Sequence, residues 1–169
     1  MMIDKTVICL RGCSGSGKST LINSLRMKGY NRPYIICSAD DYWYDGEEQI
    51  LENYKFDIKK LHLAHQQCQN KFLQAIKNHT SLVIVDNTNI YEKDYKWYYL
   101  AAKQSGYIVD FHTILPGTVE QHIQSNVHGV PKEAIERMIA GLKPVPKEIN
   151  GEATNEIFYN FDELREKNK

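Results

Sequence analysis

A glycine-rich loop with one lysine and one terminal hydroxyl residue carries the clearest chemical signal in the sequence. It reads Gly12-Cys13-Ser14-Gly15-Ser16-Gly17-Lys18-Ser19 and fits the pattern GxxxxGK[ST] without a gap. Glycines let such a loop curl until backbone N–H groups converge on phosphate oxygens, which the positive end of a following helix also attracts. A lysine at the seventh position neutralises charge on the β- and γ-phosphates, and the hydroxyl after it coordinates Mg²⁺. The loop therefore predicts a site for ATP and Mg²⁺.

The predicted nucleotide site extends one residue past the pattern, because Thr20 would add a hydroxyl near the α-phosphate. The residues expected to bind ATP are Gly12, Cys13, Ser14, Gly15, Ser16, Gly17, Lys18, Ser19 and Thr20. Lys18 is expected to act in catalysis as well, and Ser19 to be a ligand of Mg²⁺. The alternative is an ordinary glycine loop, since the four fixed positions arise by chance in roughly one of a few hundred chains of this length.

Two carboxylates follow the apolar run at residues 34–37, where they would lie at the carboxyl edge of a parallel sheet. They are Asp40 and Asp41, and ligands of open α/β folds bind at this edge. A carboxylate that faces the γ-phosphate can orient an acceptor hydroxyl for in-line attack and take its proton. Asp40 is therefore the candidate general base. The alternative is that both aspartates only cap a turn or the next helix.

A third carboxylate, Asp86, follows the apolar run at residues 82–85. Four apolar residues followed by an acid are typical of a Walker B strand, whose carboxylate holds Mg²⁺ directly or through water. Asp86 is therefore the second candidate metal residue, beside Ser19. The polar residues Asn87, Thr88 and Asn89 then offer hydrogen bonds to a substrate, or they form a polar turn.

Two other segments hold side chains of possible functional value. Tyr42, Trp43 and Tyr44 lie beside Asp40, where aromatic rings stack on a base or sugar or else pack into the core. Farther along, the segment around His128 and the helix that carries Arg137 resemble a mobile lid. An arginine in such a lid stabilises charge on the transferred phosphoryl group, which makes Arg137 a candidate catalytic residue, and a solvated surface arginine is the alternative.

The elements that must position these residues alternate between strand and helix along the chain. This order predicts an α/β protein in which helices cover both faces of a mostly parallel sheet. With the glycine-rich loop between the first strand and the first helix, it predicts the three-layer P-loop NTPase fold. Residues 1–143 are expected to form the P-loop kinase domain, and residues 144–169 a C-terminal tail of unknown role. We expect strands at 6–11, 34–37, 81–85 and 107–115, and helices at 19–28, 57–77 with Asp57 as cap, 92–104, 118–125 and 131–141.

Composition limits the classes of partner. The 169 residues include 42% hydrophobic and 25% charged residues, and 21 Lys plus Arg balance 21 Asp plus Glu. Without excess positive charge to hold a long phosphate backbone, any nucleic-acid partner is expected to be short or held locally. The N-terminus lacks the pattern of a secretory signal, and no apolar run reaches the length of a membrane span. These features predict a cytoplasmic protein, or a nuclear one, with no membrane partner, and they leave the oligomeric state open.

The spaced set of motifs resembles the polynucleotide 5′-hydroxyl kinase family, and most closely its NEDD-four-binding-protein-two-like kinase domains. The resemblance covers about residues 5–142. It rests on Leu10-Arg11-Gly12 through Ser19-Thr20-Leu21, Ser38-Ala39-Asp40-Asp41-Tyr42, Tyr54-Lys55-Phe56 with Ala64-His65, Val85-Asp86-Asn87-Thr88-Asn89, and Asn126-Val127-His128-Gly129-Val130-Pro131 with Arg137-Met138. In that family the first aspartate of the second motif is the general base, which corresponds to Asp40, and the acceptor is the 5′-hydroxyl of a nucleic acid.

One position departs from the family pattern. The family usually has an arginine directly before its Asn-x-His-Gly segment, and this chain has Gln124-Ser125 there. The resemblance as a whole implies transfer of the ATP γ-phosphate to a nucleic-acid 5′-hydroxyl. Because the family arginine is missing, Arg137 on the next helix is expected to supply the positive charge in its place. A P-loop kinase for a small metabolite or an aminoacylated RNA, and an ATP-binding module with little catalysis, are the alternatives.

Overall fold

Five parallel strands form one sheet in the order β2-β3-β1-β4-β5. The computed structural model of the protein describes residues 3–27, 32–44, 46–150 and 155–166. The strands are β1 (Thr6–Arg11), β2 (Tyr34–Cys37), β3 (Leu82–Val85), β4 (Ile108–Leu115) and β5 (Asn155–Asn160). Thr6 of β1 lies opposite Leu82 of β3 and Ile108 of β4, so the carboxyl ends of the central strands meet at one edge. The predicted α/β fold with a parallel sheet is confirmed.

Helices cover both faces of this sheet. The described helices are α1 (Lys18–Met27), α2 (Leu61–Lys77), α3 (Glu92–Gln104), α4 (Val119–Ser125), α5 (Lys132–Gly141), α6 (Lys147–Asn150) and α7 (Phe161–Glu166). Successive residues of β1 point to opposite faces, as strand geometry requires. Val7 packs in a core with α2 and α3, and Ile8 packs in a second core with α1 and α7. Every described helix is too short or too polar to cross a bilayer.

Most predicted elements occur within two residues of their expected bounds, and the differences have local causes. The segment after β2, for which the sequence predicts no strand or helix, forms a 3₁₀ helix, Ala39–Tyr44. Asp57 caps a short 3₁₀ turn that leads into α2, since its Oδ1 accepts a hydrogen bond from Lys59 N at 3.0 Å. Leu73 of α2 is 45% exposed, because the buried stripe of this helix runs through Phe72, Ala75 and Ile76 instead. The predicted end of α1 at Lys28 lies outside the described residues.

Part of the predicted tail belongs to the sheet. β5 pairs with β4, where Asn155 lies opposite Asp110, and α7 follows it directly. Phe161 and Leu164 of α7 are buried, and Leu164 packs in the core that also holds α1. Sequence periodicity predicts no element here, because β5 is an edge strand with mostly exposed side chains. Residues 155–166 therefore complete the sheet and bring α7 next to the P-loop.

Candidate functional site

The glycine-rich loop joins β1 to α1 in a conformation that its glycines make possible. Gly15 and Gly17 have φ angles of +74° and +98°, in the left-handed region that residues with a Cβ rarely adopt. A Cβ at Gly15 would lie 2.8 Å from the carbonyl oxygen of His122, so the backbone of α4 also excludes a larger residue. Ser16 N donates to Cys13 O at 3.0 Å and closes the turn. The loop therefore has the tight curl that phosphate binding requires.

Lys18 folds back over the loop that precedes it. Its Nζ donates to the carbonyl oxygens of Gly12 and Cys13, at 3.0 Å and 3.2 Å. Burial lowers the pKa of Lys18, although the nearby Asp86 and Asp40 carboxylates act in the opposite direction. An anion beside Nζ would offset the effect of burial and favour the charged form of Lys18. Burial also raises the pKa of Cys13 to about 11, so that side chain remains a thiol at neutral pH.

The cavity in front of this loop suits a polyphosphate. It has a volume of about 370 Å³, within the usual range of ligand sites. The lining residues are Ser14, Gly15, Ser16, Gly17, Lys18, Ser19, Thr20, Asp40, Asp86, Asn87, Thr88, Ser125, Asn126, Val127, His128, Leu164 and Arg165. The buried Oγ of Ser16 has no hydrogen-bond partner among the described residues, although buried polar atoms are nearly always paired. Ser16 lines the cavity, so rotation of its side chain toward a bound phosphate would give this oxygen a partner.

Two oxygen donors at the floor of the cavity fit Mg²⁺. They are the Ser19 hydroxyl and the Asp86 carboxylate, both of which line the cavity. Burial raises the pKa of Asp86, which the nearby Lys18 charge partly offsets, so a bound cation would favour the ionised carboxylate. The described ranges contain no group of three or more His, Cys, Asp or Glu side chains placed for a metal. A site with few protein ligands suits Mg²⁺, which keeps waters and takes phosphate oxygens.

Asp40 lies in the wall of the cavity on the 3₁₀ helix after β2. The start of that helix is fixed by Asn87, whose Oδ1 accepts a hydrogen bond from Ala39 N at 2.9 Å. Asp40 is half-exposed, and its Oδ1 accepts a long hydrogen bond of 3.4 Å from the Tyr54 hydroxyl. The structure therefore brings Lys18, Asp40 and Asp86 together around one cavity. Each of these residues follows a predicted strand in the sequence, and strands of a parallel sheet end at the same edge. Their catalytic and metal roles remain predictions.

A second cavity adjoins the first on the side of β2. Its volume is about 600 Å³, and the two cavities share Ser19, Asp40, Asp86, Val127 and His128. The remaining lining residues are Ile22, Asn23, Tyr34, Ile36, Ser38, Asp41, Tyr44, Gln49 and Lys71. Of the three aromatic residues beside Asp40, Trp43 is only 3% exposed and packs in the core, whereas Tyr44 lines this cavity.

The sequence singled out Arg137 as a candidate catalytic residue, whereas Arg165 lies in the wall of the cavity in front of the glycine-rich loop. Arg137 is exposed on α5 and is not among the residues that line either cavity. Its carbonyl oxygen accepts a hydrogen bond of 3.5 Å from the Tyr91 hydroxyl. Arg165, on α7, lines the cavity in front of the glycine-rich loop, which we call the nucleotide cavity. Sequence reasoning missed Arg165, because its position depends on the placement of β5 in the sheet.

His122 ties the glycine-rich loop to α4, which sequence reasoning also missed. Its Nε2 accepts a hydrogen bond from Gly117 N at 3.0 Å, so Nδ1 carries the proton and donates to Ser14 O at 3.1 Å. Burial lowers the pKa of His122 below its usual range, although the contact with Ser14 acts in the opposite direction. The neutral ring is therefore a structural link between the loop and the helix that leads into residues 126–130.

Comparison with known proteins identifies the family of this domain. A family model described as an AAA domain matches residues 7–145. NEDD4-binding protein 2 from Homo sapiens is 36% identical over an alignment of 138 residues, and the match covers 79% of this chain and 7% of that protein. The chain therefore spans a small part of that relative's length.

Solved structures share the fold at low identity. A gluconokinase from Sinorhizobium meliloti superposes with a TM-score of 0.52 at 14% identity, over 97% of this chain and 89% of the other. A chain of the Pnkp1/Rnl/Hen1 complex superposes with a TM-score of 0.53 at 18% identity, over 73% of this chain and 40% of the other. The family model and NEDD4-binding protein 2 confirm the predicted resemblance, and the solved structures show the fold of P-loop kinases: the chain belongs to the AAA domain family.

Proposed function

We propose that the protein transfers the γ-phosphate of ATP to the 5′-hydroxyl of a nucleic acid, with Asp40 as the general base. One observation carries this proposal: Asp40 lies in the wall shared by two adjoining cavities. The first cavity contains the glycine-rich loop and Lys18, which suit the triphosphate. The second has room for an acceptor on the other side of the same carboxylate.

The transfer needs few protein groups beyond correct placement. The Asp40 carboxylate accepts the proton of the acceptor hydroxyl, whose oxygen forms a bond to the γ-phosphorus. The bond from that phosphorus to the β–γ bridging oxygen breaks, and ADP leaves with the electron pair. Lys18 neutralises the charge on the phosphates. Mg²⁺ held by Ser19 and Asp86 would add further charge neutralisation at the β- and γ-phosphate oxygens.

The lining of the second cavity favours a terminal nucleoside over a small acid as the acceptor. Three carboxylates line this cavity, from Asp40, Asp41 and Asp86. Among the described residues that line it, Lys71 is the one lysine, and none is an arginine. Lys71 Nζ lies 3.5 Å from Asp41 Oδ2 and is therefore partly neutralised already. A neutral sugar and base would meet no like charge there, whereas a carboxylate substrate would. The rings of Tyr34 and Tyr44 offer aromatic surface to a base.

A small hydroxyl compound is the second candidate acceptor. The gluconokinase match supports this candidate, because it covers nearly the whole of both chains, whereas the Pnkp1/Rnl/Hen1 match covers less. The balanced overall charge of the chain is compatible with a small neutral substrate and with a nucleic-acid end alike. The two candidates share the ATP site and the base, and they differ only in what enters the second cavity.

A labelling experiment separates these candidates. The protein is incubated with Mg²⁺ and γ-labelled ATP and with 5′-hydroxyl RNA or DNA oligonucleotides, tRNA, nucleosides or small alcohols. We expect label on the 5′-hydroxyl oligonucleotides and none on matched oligonucleotides that already carry a 5′-phosphate. Label on small alcohols alone would replace the nucleic-acid assignment with the second candidate. Absence of label from every acceptor would contradict the kinase proposal.

Arg165→Ala is expected to raise the KM for ATP about three- to tenfold, whereas Arg137→Ala should leave it unchanged within about twofold. Arg165 lines the nucleotide cavity, and its loss removes positive charge beside the bound anion. Its exposure on α7 keeps the effect modest, since solvent screens the interaction. Steady-state kinetics with varied ATP measure both variants. A larger effect from Arg137→Ala on kcat would instead support the sequence-based assignment of Arg137 as the lid arginine.

A further inference from the structure

We infer that His128 is a positioning residue that holds the Asp40 carboxylate in its reactive orientation. This inference rests on the proposed function, because it assumes that Asp40 is the base. The loop at residues 126–130 brings His128 to the wall of both cavities, next to Asp40. His128 acts through Asp40 and takes no part in the bond changes at phosphorus.

The two oxygens of the Asp40 carboxylate face different partners. Oδ1 accepts the hydrogen bond from the Tyr54 hydroxyl at 3.4 Å, and Oδ2 lies 3.6 Å from His128 Nδ1. A half-exposed aspartate on a short 3₁₀ helix would otherwise rotate about its side-chain bonds. Contacts on both oxygens restrict that rotation, while each oxygen keeps a lone pair for the acceptor hydroxyl. Positioned carboxylates of this kind react faster because the productive geometry is already formed.

His128 is itself held by two aromatic residues. Its ring stacks on Tyr54, with a centroid distance of 4.2 Å and an interplanar angle of 2°. Its Nε2 lies 3.4 Å from the Tyr44 hydroxyl, which comes from the same 3₁₀ helix as Asp40. When the Tyr44 hydroxyl donates to Nε2, the proton of the neutral ring lies on Nδ1 and faces Asp40. In the imidazolium form Nδ1 also donates, so His128 offers Asp40 a donor in both states.

The backbone of the loop presents His128 independently of Asp40. Asn126 Nδ2 donates to Val130 O at 2.9 Å, and Asn126 Oδ1 accepts a hydrogen bond from His128 N at 3.3 Å. Gly129 has a φ angle of +66°, which turns the chain back after His128. The distance of 3.6 Å from His128 to Asp40 is slightly too long for a hydrogen bond. A small closure of the loop over a bound nucleotide would shorten it to hydrogen-bond length.

Two substitutions separate donation to Asp40 from stacking on Tyr54. His128→Phe keeps an aromatic ring and removes the donor, whereas His128→Asn removes the ring and keeps an N–H group near the position of Nδ1. We expect His128→Phe to lower kcat about ten- to hundredfold with the KM for ATP changed less than about twofold. His128→Asn should keep most of kcat. The reverse order of the two variants would show that stacking matters and would overturn the positioning role.

Nuclear magnetic resonance tests the contact without any turnover. Long-range ¹H–¹⁵N spectra of the full chain, with ¹⁵N-labelled histidine, report the protonation and hydrogen bonding of each ring nitrogen. We expect Asp40→Asn to move the His128 Nδ1 resonance and to leave His122, whose hydrogen bonds are to backbone groups, unchanged. An unmoved His128 resonance would overturn the inference even if the parent protein transfers phosphate. If the parent protein labels no acceptor, the proposed function fails, and the catalytic role of His128 fails with it. In that case a moved resonance would show only that His128 contacts Asp40.

Discussion

Asp40→Asn is expected to lower phosphoryl transfer at least about a hundredfold while the affinity for ATP changes less than about twofold. The amide has nearly the shape of the carboxylate but cannot take a proton from the acceptor hydroxyl. It can still accept the hydrogen bond from Tyr54, so the local structure should persist. Initial rates with γ-labelled ATP measure the transfer, and titration calorimetry with magnesium nucleotide measures the affinity.

Two control variants make the result specific. Lys18→Ala should weaken nucleotide binding as well as transfer, because Lys18 lines the cavity in front of the glycine-rich loop and would meet the phosphates themselves. Asp41→Asn should retain the parent rate within about threefold, since Asp41 contacts Gln49 at 2.8 Å and Lys71 at 3.5 Å. Transfer by Asp40→Asn at the parent rate would show that the base has been misassigned. Equal damage from Asp41→Asn would point to a general loss of negative charge instead.

The nucleotide side of the site was predictable because its signal is local in sequence. The spacing of the glycines and Lys18 fixes the loop, and the apolar run before it fixes β1. Asp40 and Asp86 follow strands β2 and β3, and the rule that parallel strands end at one edge places them together. The register of β2 with β3, in which Cys37 lies opposite Val85, satisfies that rule. Local pattern and sheet geometry were therefore sufficient for this half of the site.

The rest of the site depends on contacts between residues far apart in sequence. β5 has no alternating apolar pattern, and it joins the sheet through its backbone and through Glu156. The position of Arg165 follows from that strand, so no local signal marks it. The role of His122 in holding Ser14 depends on the end of α4 meeting the loop. The sequence motif around His128 was visible, but its contact with Asp40 requires the fold of residues 126–130.

Removal of the Glu156 carboxylate is expected to destabilise the protein by about 3–5 kcal/mol. Glu156 Oε2 accepts hydrogen bonds from Arg11 Nη1 at 2.9 Å and from Thr113 Oγ1 at 2.7 Å, and Oε1 accepts one from Val145 N at 2.8 Å. The side chains of Arg11 and Glu156 are only 1% and 2% exposed. Glu156→Ala would leave the Arg11 charge buried with two backbone carbonyls and the face of Tyr95 as its remaining partners.

Urea denaturation followed by circular dichroism measures this loss, and two further variants show its origin. Glu163→Gln removes an exposed carboxylate from α7 and should change the free energy of unfolding by less than about 0.5 kcal/mol. The double variant Arg11→Met, Glu156→Leu removes both charges and should be more stable than Glu156→Ala, because no uncompensated ion remains in the core. If Glu156→Ala were as stable as Glu163→Gln, the pair would not hold β5. Since Arg11 directly precedes the glycine-rich loop and β5 leads into α7, the same pair determines where Arg165 meets the nucleotide cavity.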